Sequence, residues 1–462
     1  MQLTLPPIDP ATINGFDEEI DIFNRKVFGG DLTRLVKNSS GNLVIGFDDD
    51  WGRGKTTFLA MWQAHMANME DPVHSIYFDA FKHDYYADPL IALTAQIYSR
   101  LQKVDASGET AKRFSDTTVN AAKALGKLAG RVAIKVGAKY GIDEEALGEL
   151  KIGDTVGDEL ATLYDKALMD AVTQSGQVEA AITSFGKALS GAAEVLGGGN
   201  PLVFIIDELD RCRPNYALSI IECIKHFLMT PNIVFVLSMN REQMLGSVAC
   251  EYGEGVKADR YLDKFIQLWV SLPTEGREEG TPKEEQYLRY CLSKMGYPDH
   301  LFSGPATAQF GLVIASLRLT FRDIERIATN MMLLALTEPD ARVNGKENIS
   351  KTIIFFICAI VKTRNPDLFK KILADPDDVL DGDVLKEMGF NHGRVKSIKS
   401  GTISYKGLIE KIVRYCFGTD TEKNAMTNNG EVDLYTMDTI GGGNKIAWFC
   451  KKLSLLKPVG SG

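Results

Sequence analysis

The densest chemistry in the chain lies in one run, Asp49-Asp50-Trp51-Gly52-Arg53-Gly54-Lys55-Thr56. It stands between an apolar stretch, NLVIGF (42–47), and a helical one, TTFLAMWQAHMANM (56–69). A loop that binds phosphate aims backbone N–H groups at the anion, and glycine reaches the positive φ this requires. Such a loop also uses the N-terminus of the next helix, a lysine for the β- and γ-phosphates and a hydroxyl for Mg2+. Gly52, Gly54, Lys55 and Thr56 fill those places, and Arg53 and Thr57 complete the expected nucleotide-binding set. An ordinary Gly-rich strand-to-helix turn is the alternative. One position departs from the usual pattern: Asp49 stands where these loops open with glycine. Aspartate tolerates unusual φ better than most residues. Even so, Asp48, Asp49 and Asp50 put three carboxylates beside a polyphosphate and weaken its binding unless they point away.

The second constellation is PLVFIIDELDR (201–211), an apolar strand ending in two acids. Asp207 can serve Mg2+, and Glu208 can orient or deprotonate an attacking water. A buried strand with an acidic turn would read the same, but its order after the Gly-Lys-Thr loop favours nucleotide hydrolysis. The third is Ser238-Met239-Asn240-Arg241, closing another apolar strand. Asn240 can contact a γ-phosphate or the catalytic water there, and a strand-capping asparagine is an equally good reading.

These groups need a frame to hold them. Strands are expected at 42–47, 73–81, 201–207 and 232–240, separated by helical segments such as 56–69 and 89–101. Strands alternating with helices predict an α/β core with a parallel sheet covered on both faces. Ahead of it, Ile20, Ile22, Phe23 and Val27 give a rough helical period within residues 1–40. The expected parts are 1–104 and 201–273 as two pieces of the core, and 105–200 as a helical insertion rich in Ala, Gly and Lys. A helical region at 274–340, opening on the polar connector TEGREEGTPKEEQ, and a mostly helical one at 341–462 follow the core.

Composition sets limits on the function. Length 462 predicts about three domains. A net charge of -9 opposes a protein whose whole surface grips nucleic acid. Seven cysteines without CxxC spacing suit reduced thiols, and six scattered histidines form no zinc motif. No signal peptide is evident at the N-terminus, and no apolar run reaches the roughly 18 residues of a membrane span. The longest, TIIFFICAIV (352–361), is expected to be a core helix, and the protein to be cytoplasmic.

The ordered set WGRGKTTFL, YFDAFKHD, IIDELDRCRP, FVLSMNREQM, RYLDKFIQLWVSLP and FRDIERI resembles the KAP NTPases, a branch of the P-loop ATPases. The resemblance covers roughly residues 12–340, with Phe81 standing where the family often has Trp. It implies ATP hydrolysis on an AAA-like α/β core with a helical lid at 274–340. Trp51 becomes part of the loop signature and of the nucleotide-binding set, Arg322 a lid arginine that senses nucleotide, and Arg260 an arginine finger; a surface ion-pair partner is the alternative for each arginine. ATP rather than GTP and a role in antiphage defence are likewise what the resemblance implies; a homo-oligomeric or effector-coupled assembly belongs to the reading of the chain as a regulatory ATPase. Many family members carry two membrane spans in the insertion, which here is polar.

Within that insertion Lys123, Lys127, Arg131, Lys135 and Lys139 recur at every fourth residue and form a cationic ridge on a helix. Such a ridge can bind nucleic acid or, as a peripheral contact, an anionic membrane surface. The acidic run from Asp143 to Glu159 follows it, and a helical hairpin pairing the two is the expected arrangement. The overall reading is a regulatory ATPase. Its rivals are a nucleotide-binding scaffold with little hydrolysis, favoured by the acidic triplet, and a nucleic-acid-stimulated sensor or motor, favoured by the ridge.

Overall fold

Runs of β-branched and aromatic residues form five strands: β1 (Leu43–Asp48), β2 (Ser75–Asp79), β3 (Leu202–Asp207), β4 (Ile233–Met239) and β5 (Leu268–Val270). They make one sheet in the order β2-β3-β4-β1-β5, and every neighbouring pair is parallel. The inner strands β3 and β4 are buried at every residue, which is why their sequences are continuously apolar. Edge strand β2 instead alternates, with Ile76 and Phe78 inward and Ser75, Tyr77 and Asp79 partly open.

This computed structural model describes residues 3–5, 12–39, 43–85, 89–105, 107–121, 179–227, 230–253, 255–273, 283–297, 314, 317, 319–337, 346–387, 412–414, 416–417, 421, 424–426 and 445–455. They fall into two units. The sheet unit comprises Lys26–Asp50 and Phe58–Leu272; the helical unit comprises Met1–Arg25, Trp51–Thr57 and Pro273–Gly462.

In the sheet unit α1 (Lys26–Asn38) buries Leu32, Thr33 and Val36, and Thr33 accepts the indole N–H of the buried Trp62 at 2.9 Å. The helical period expected over Ile20 to Val27 does not carry this helix. It starts at Lys26, Val27 is exposed, and residues 17–25 are turns and irregular backbone. Then come α2 (Lys55–Ala67), whose first residues belong to the other unit, and α3 (Pro89–Val104). The insertion is helical at 109–121 and 179–197. Its cationic ridge and acidic run lie outside the described residues. After β3 come α4 (Pro214–Phe227), α5 (Arg241–Tyr252) and α6 (Ala258–Leu262).

Strand β5 was not expected from the sequence, being only Leu268–Val270. Gly46 lies directly opposite Trp269. A Cβ at Gly46 would come within 2.4 Å of the Trp269 ring, so β1 needs glycine there for the indole to lie across it.

The helical unit contains α7 (Lys283–Met295), α8 (Phe321–Thr337), α9 (Lys346–Arg364), α10 (Pro366–Ala374), α11 (Asp381–Glu387) and α12 (Lys445–Leu455). The run Thr352–Val361 is buried throughout within α9, as a core helix should be. Helices before and after residue 340 share one apolar core. No helix among the described residues is long and apolar enough to cross a membrane.

Candidate functional site

Parallel pairing delivers the carboxyl ends of β1, β3 and β4 to one edge of the sheet unit, the usual location of ligand sites in open α/β sheets. Asp207 ends β3 and is only 2% exposed. Its Oδ2 accepts the Tyr77 hydroxyl at 2.9 Å, and its Oδ1 accepts the backbone N–H of Glu208, also at 2.9 Å. Burial first, then the adjacent Asp207 carboxylate, pushes Tyr77 well above the usual tyrosine range, so its hydroxyl stays a proton donor.

Glu208 follows at φ 62°, in the left-handed region. A non-glycine residue held there stores about 1–3 kcal/mol, and such strain clusters at functional sites. Its carboxylate forms an ion pair with Arg211, three residues on. Burial raises its pKa; Arg211 opposes the rise, while Asp207, Asp210 and Asp79 add to it. A raised pKa makes the carboxylate a better proton acceptor than an ordinary glutamate.

Asn240 closes β4 and caps α5: its side-chain oxygen accepts the Gln243 N–H at 3.0 Å, and its amide donates to Asp50 at 3.4 Å. The N–H of Arg241 donates to Asp48 at 2.8 Å. Asp48 and Asp50 are thus tied to the start of α5, where a helix N-terminus favours negative charge. Asp49 accepts the Asp50 N–H at 2.9 Å, and it keeps negative φ. The Arg241 guanidinium reaches Asp259 of α6 at 3.3 Å and covers the Trp269 ring at 4.5 Å. Arg260, next along α6, is exposed and makes no ion pair among the described residues.

In the helical unit the loop shows where its glycines are needed. Gly52 has φ 74° and Gly54 φ 84°. The Gly52 carbonyl accepts the Phe321 N–H at 3.1 Å. Arg25 donates Nη2–H to the Arg53 carbonyl at 3.2 Å and Nη1–H to the Gly54 carbonyl at 3.5 Å. A planar trans peptide sets its C=O and the next N–H antiparallel. Holding these three carbonyls therefore turns the N–H groups of Arg53, Gly54 and Lys55 the opposite way, as an anion-binding nest requires. Lys55, Thr56 and Thr57 then open α2. Trp51 is 43% exposed. Arg322 is exposed on the first turn of α8, its Cβ 3.3 Å from where a Gly52 side chain would begin. That turn is fixed by a reciprocal cap: Thr320 Oγ1 accepts the Asp323 N–H at 3.2 Å and donates to the Asp323 carboxylate at 2.7 Å.

Residues 25–336 match the model of the KAP family P-loop domain. The chain belongs to this family. Its fold is accordingly the α/β P-loop NTPase fold, a nucleotide-binding fold of the ATPase class. No curated protein matches the chain. Among solved structures it is similar to the Aeropyrum pernix ORC2 protein (ADPNP–ADP complexes), with TM-score 0.36 and 13% identity over 93% of this chain and 95% of that one.

Three participants at these positions escaped the sequence reading. Tyr77 had a signal, since alternation in β2 places it on one face with Asp79, and Asp79 lies opposite Asp207. Arg211 lies three residues after Glu208 within 201–211, a spacing that suits an ion pair. Arg25 had no local signal, because its partners lie 28 and 29 residues away.

Proposed function

We propose that this KAP protein binds ATP with Mg2+ through residues 51–57 and hydrolyses it, coupling the nucleotide state to a partner. The observation that carries the reading is the loop itself: two positive-φ glycines, and three carbonyls held by Phe321 and Arg25, each of which turns the N–H of its own peptide away from that partner. Lys55 adds positive charge for the β- and γ-phosphates. Thr56 and Asp207 carry the hard oxygen donors that would hold Mg2+. The chemistry Mg2+ supplies when bound is charge neutralisation across the phosphate oxygens. Tyr77 orients Asp207 through its hydrogen bond. Glu208 takes the proton of the attacking water, Asn240 positions the γ-phosphate end, and Arg322 and Arg260 add positive charge as sensor and finger.

A nucleotide-binding scaffold with slow hydrolysis is the second reading. The Glu208–Arg211 ion pair favours it, because a paired base is held back from water. An antiphage role rests on the family resemblance, a cytoplasmic location on the seven cysteines without CxxC spacing, and a homo-oligomeric or effector-coupled assembly on the regulatory-ATPase reading. The test is Mg2+-dependent phosphate release by the wild type and Lys55→Ala, with and without DNA or RNA. Release that needs Lys55 supports hydrolysis. Nucleotide binding without release supports the scaffold, and wild-type rates in Lys55→Ala refute the assignment.

A further inference from the structure

Arg25 is 5% exposed, and a guanidinium buried this far needs acceptors around it. Two are carbonyls of the phosphate loop, Arg53 at 3.2 Å and Gly54 at 3.5 Å. The guanidinium also lies over the face of Phe23, its carbon 4.8 Å from the ring centroid. Phe23 in turn stacks on Phe321, with ring centroids 4.9 Å apart and planes within 8°. The backbone N–H of that same Phe321 holds the Gly52 carbonyl at 3.1 Å. The four groups close a circuit: the first residue of α8, Phe23, Arg25, and the loop between Gly52 and Gly54. The turn carrying Arg25 is itself anchored, since its N–H donates to the buried Asp21 at 2.8 Å.

We propose that Arg25 is a positioning residue for the phosphate loop: it holds the Arg53 and Gly54 carbonyls so that the Gly54 and Lys55 N–H groups stay aimed at the phosphates. The inference rests on the nucleotide-binding reading above, and it adds a residue that touches no phosphate itself. A planar guanidinium suits this task because its two terminal nitrogens reach two successive carbonyls at once, whereas an ammonium concentrates its donors at one point. The Phe23–Phe321 stack extends the arrangement to α8, so the loop and the start of α8 are held by the same side chains.

The test uses the full chain with Arg25→Lys, Arg25→Met and Phe23→Leu. Amide hydrogen exchange across 51–57 is measured without nucleotide, and affinity for a fluorescent ATP analogue with Mg2+ is measured alongside. The expected result is faster exchange in 51–57 for Arg25→Met and a Kd weakened roughly tenfold to hundredfold, the scale of a misplaced positioning contact. Arg25→Lys should fall between, and Phe23→Leu should show a smaller loss. If the wild type binds and Arg25→Met binds equally, with unchanged exchange, the inference is overturned and the nucleotide-binding reading stands. If the wild type binds no nucleotide, that reading fails, while loop exchange still shows whether Arg25 holds the carbonyls. Should Arg25→Met not fold, wild-type affinity and exchange in folded Arg25→Lys overturn the inference.

Discussion

Glu208→Gln separates chemistry from stability at one position. The amide keeps the shape and the strained backbone but cannot take a proton from water. General-base catalysis contributes about 10²–10⁴-fold, which converts to about 2.7–5.4 kcal/mol of barrier, so kcat should fall by that factor while ATP binding is kept. Stability should move the other way. Burial raises the Glu208 pKa in the folded chain, so the folded state holds its proton more tightly than the unfolded state. The wild type therefore loses stability as pH rises from the ordinary carboxylate value through the raised one, and is least affected below both. Gln has no proton to lose, so the two proteins should have similar stability near pH 4, with the variant equal or more stable at pH 8. Losing the Arg211 pair offsets little, about 0–1 kcal/mol, because the Arg211 side chain is 37% exposed. Phosphate release and denaturant unfolding across that pH range measure both effects. A variant that hydrolyses within threefold of wild type, or is less stable by more than about 1 kcal/mol at pH 8, refutes the reasoning.

Three other substitutions probe the surrounding frame. Tyr77→Phe removes the hydroxyl that orients Asp207, and the Mg2+ concentration for half-maximal hydrolysis should rise about 10–100-fold; an unchanged Mg2+ dependence would show that Tyr77 only packs. Gly46→Ala forces a methyl into the Trp269 ring and should destabilise the chain by about 1–3 kcal/mol in denaturant unfolding, less in a Trp269→Leu background. If Arg260 is a finger acting on a neighbouring copy, hydrolysis per chain should rise with protein concentration, and Arg260→Ala should keep ATP binding while losing turnover. An active monomer contradicts that role.

The sequence made legible what rests on local pattern. Continuous apolar runs gave β3 and β4, and alternation with helices gave the parallel sheet. The loop glycines gave the candidate phosphate site because only positive φ explains glycine at both Gly52 and Gly54. What stayed hidden depends on contacts distant along the chain. β5 is too short to show a period, and its Trp269 crosses Gly46, a partner more than 220 residues earlier in the chain. The acidic triplet looked adverse to nucleotide, but Asp48 and Asp50 find donors at Arg241 and Asn240, more than 180 residues away. The left-handed φ of Glu208 could not be read from residue type, since glutamate has no preference for that region.

The central claim is that residues 52–55 cradle a triphosphate. Calorimetric titration of the wild type and Lys55→Ala with a non-hydrolysable ATP analogue and Mg2+ tests it without relying on turnover. The account predicts one site per chain in the wild type and an affinity at least about tenfold weaker in Lys55→Ala, since the lysine offsets charge on the β- and γ-phosphates. Equal affinity in both proteins, or no binding to the wild type, would contradict it.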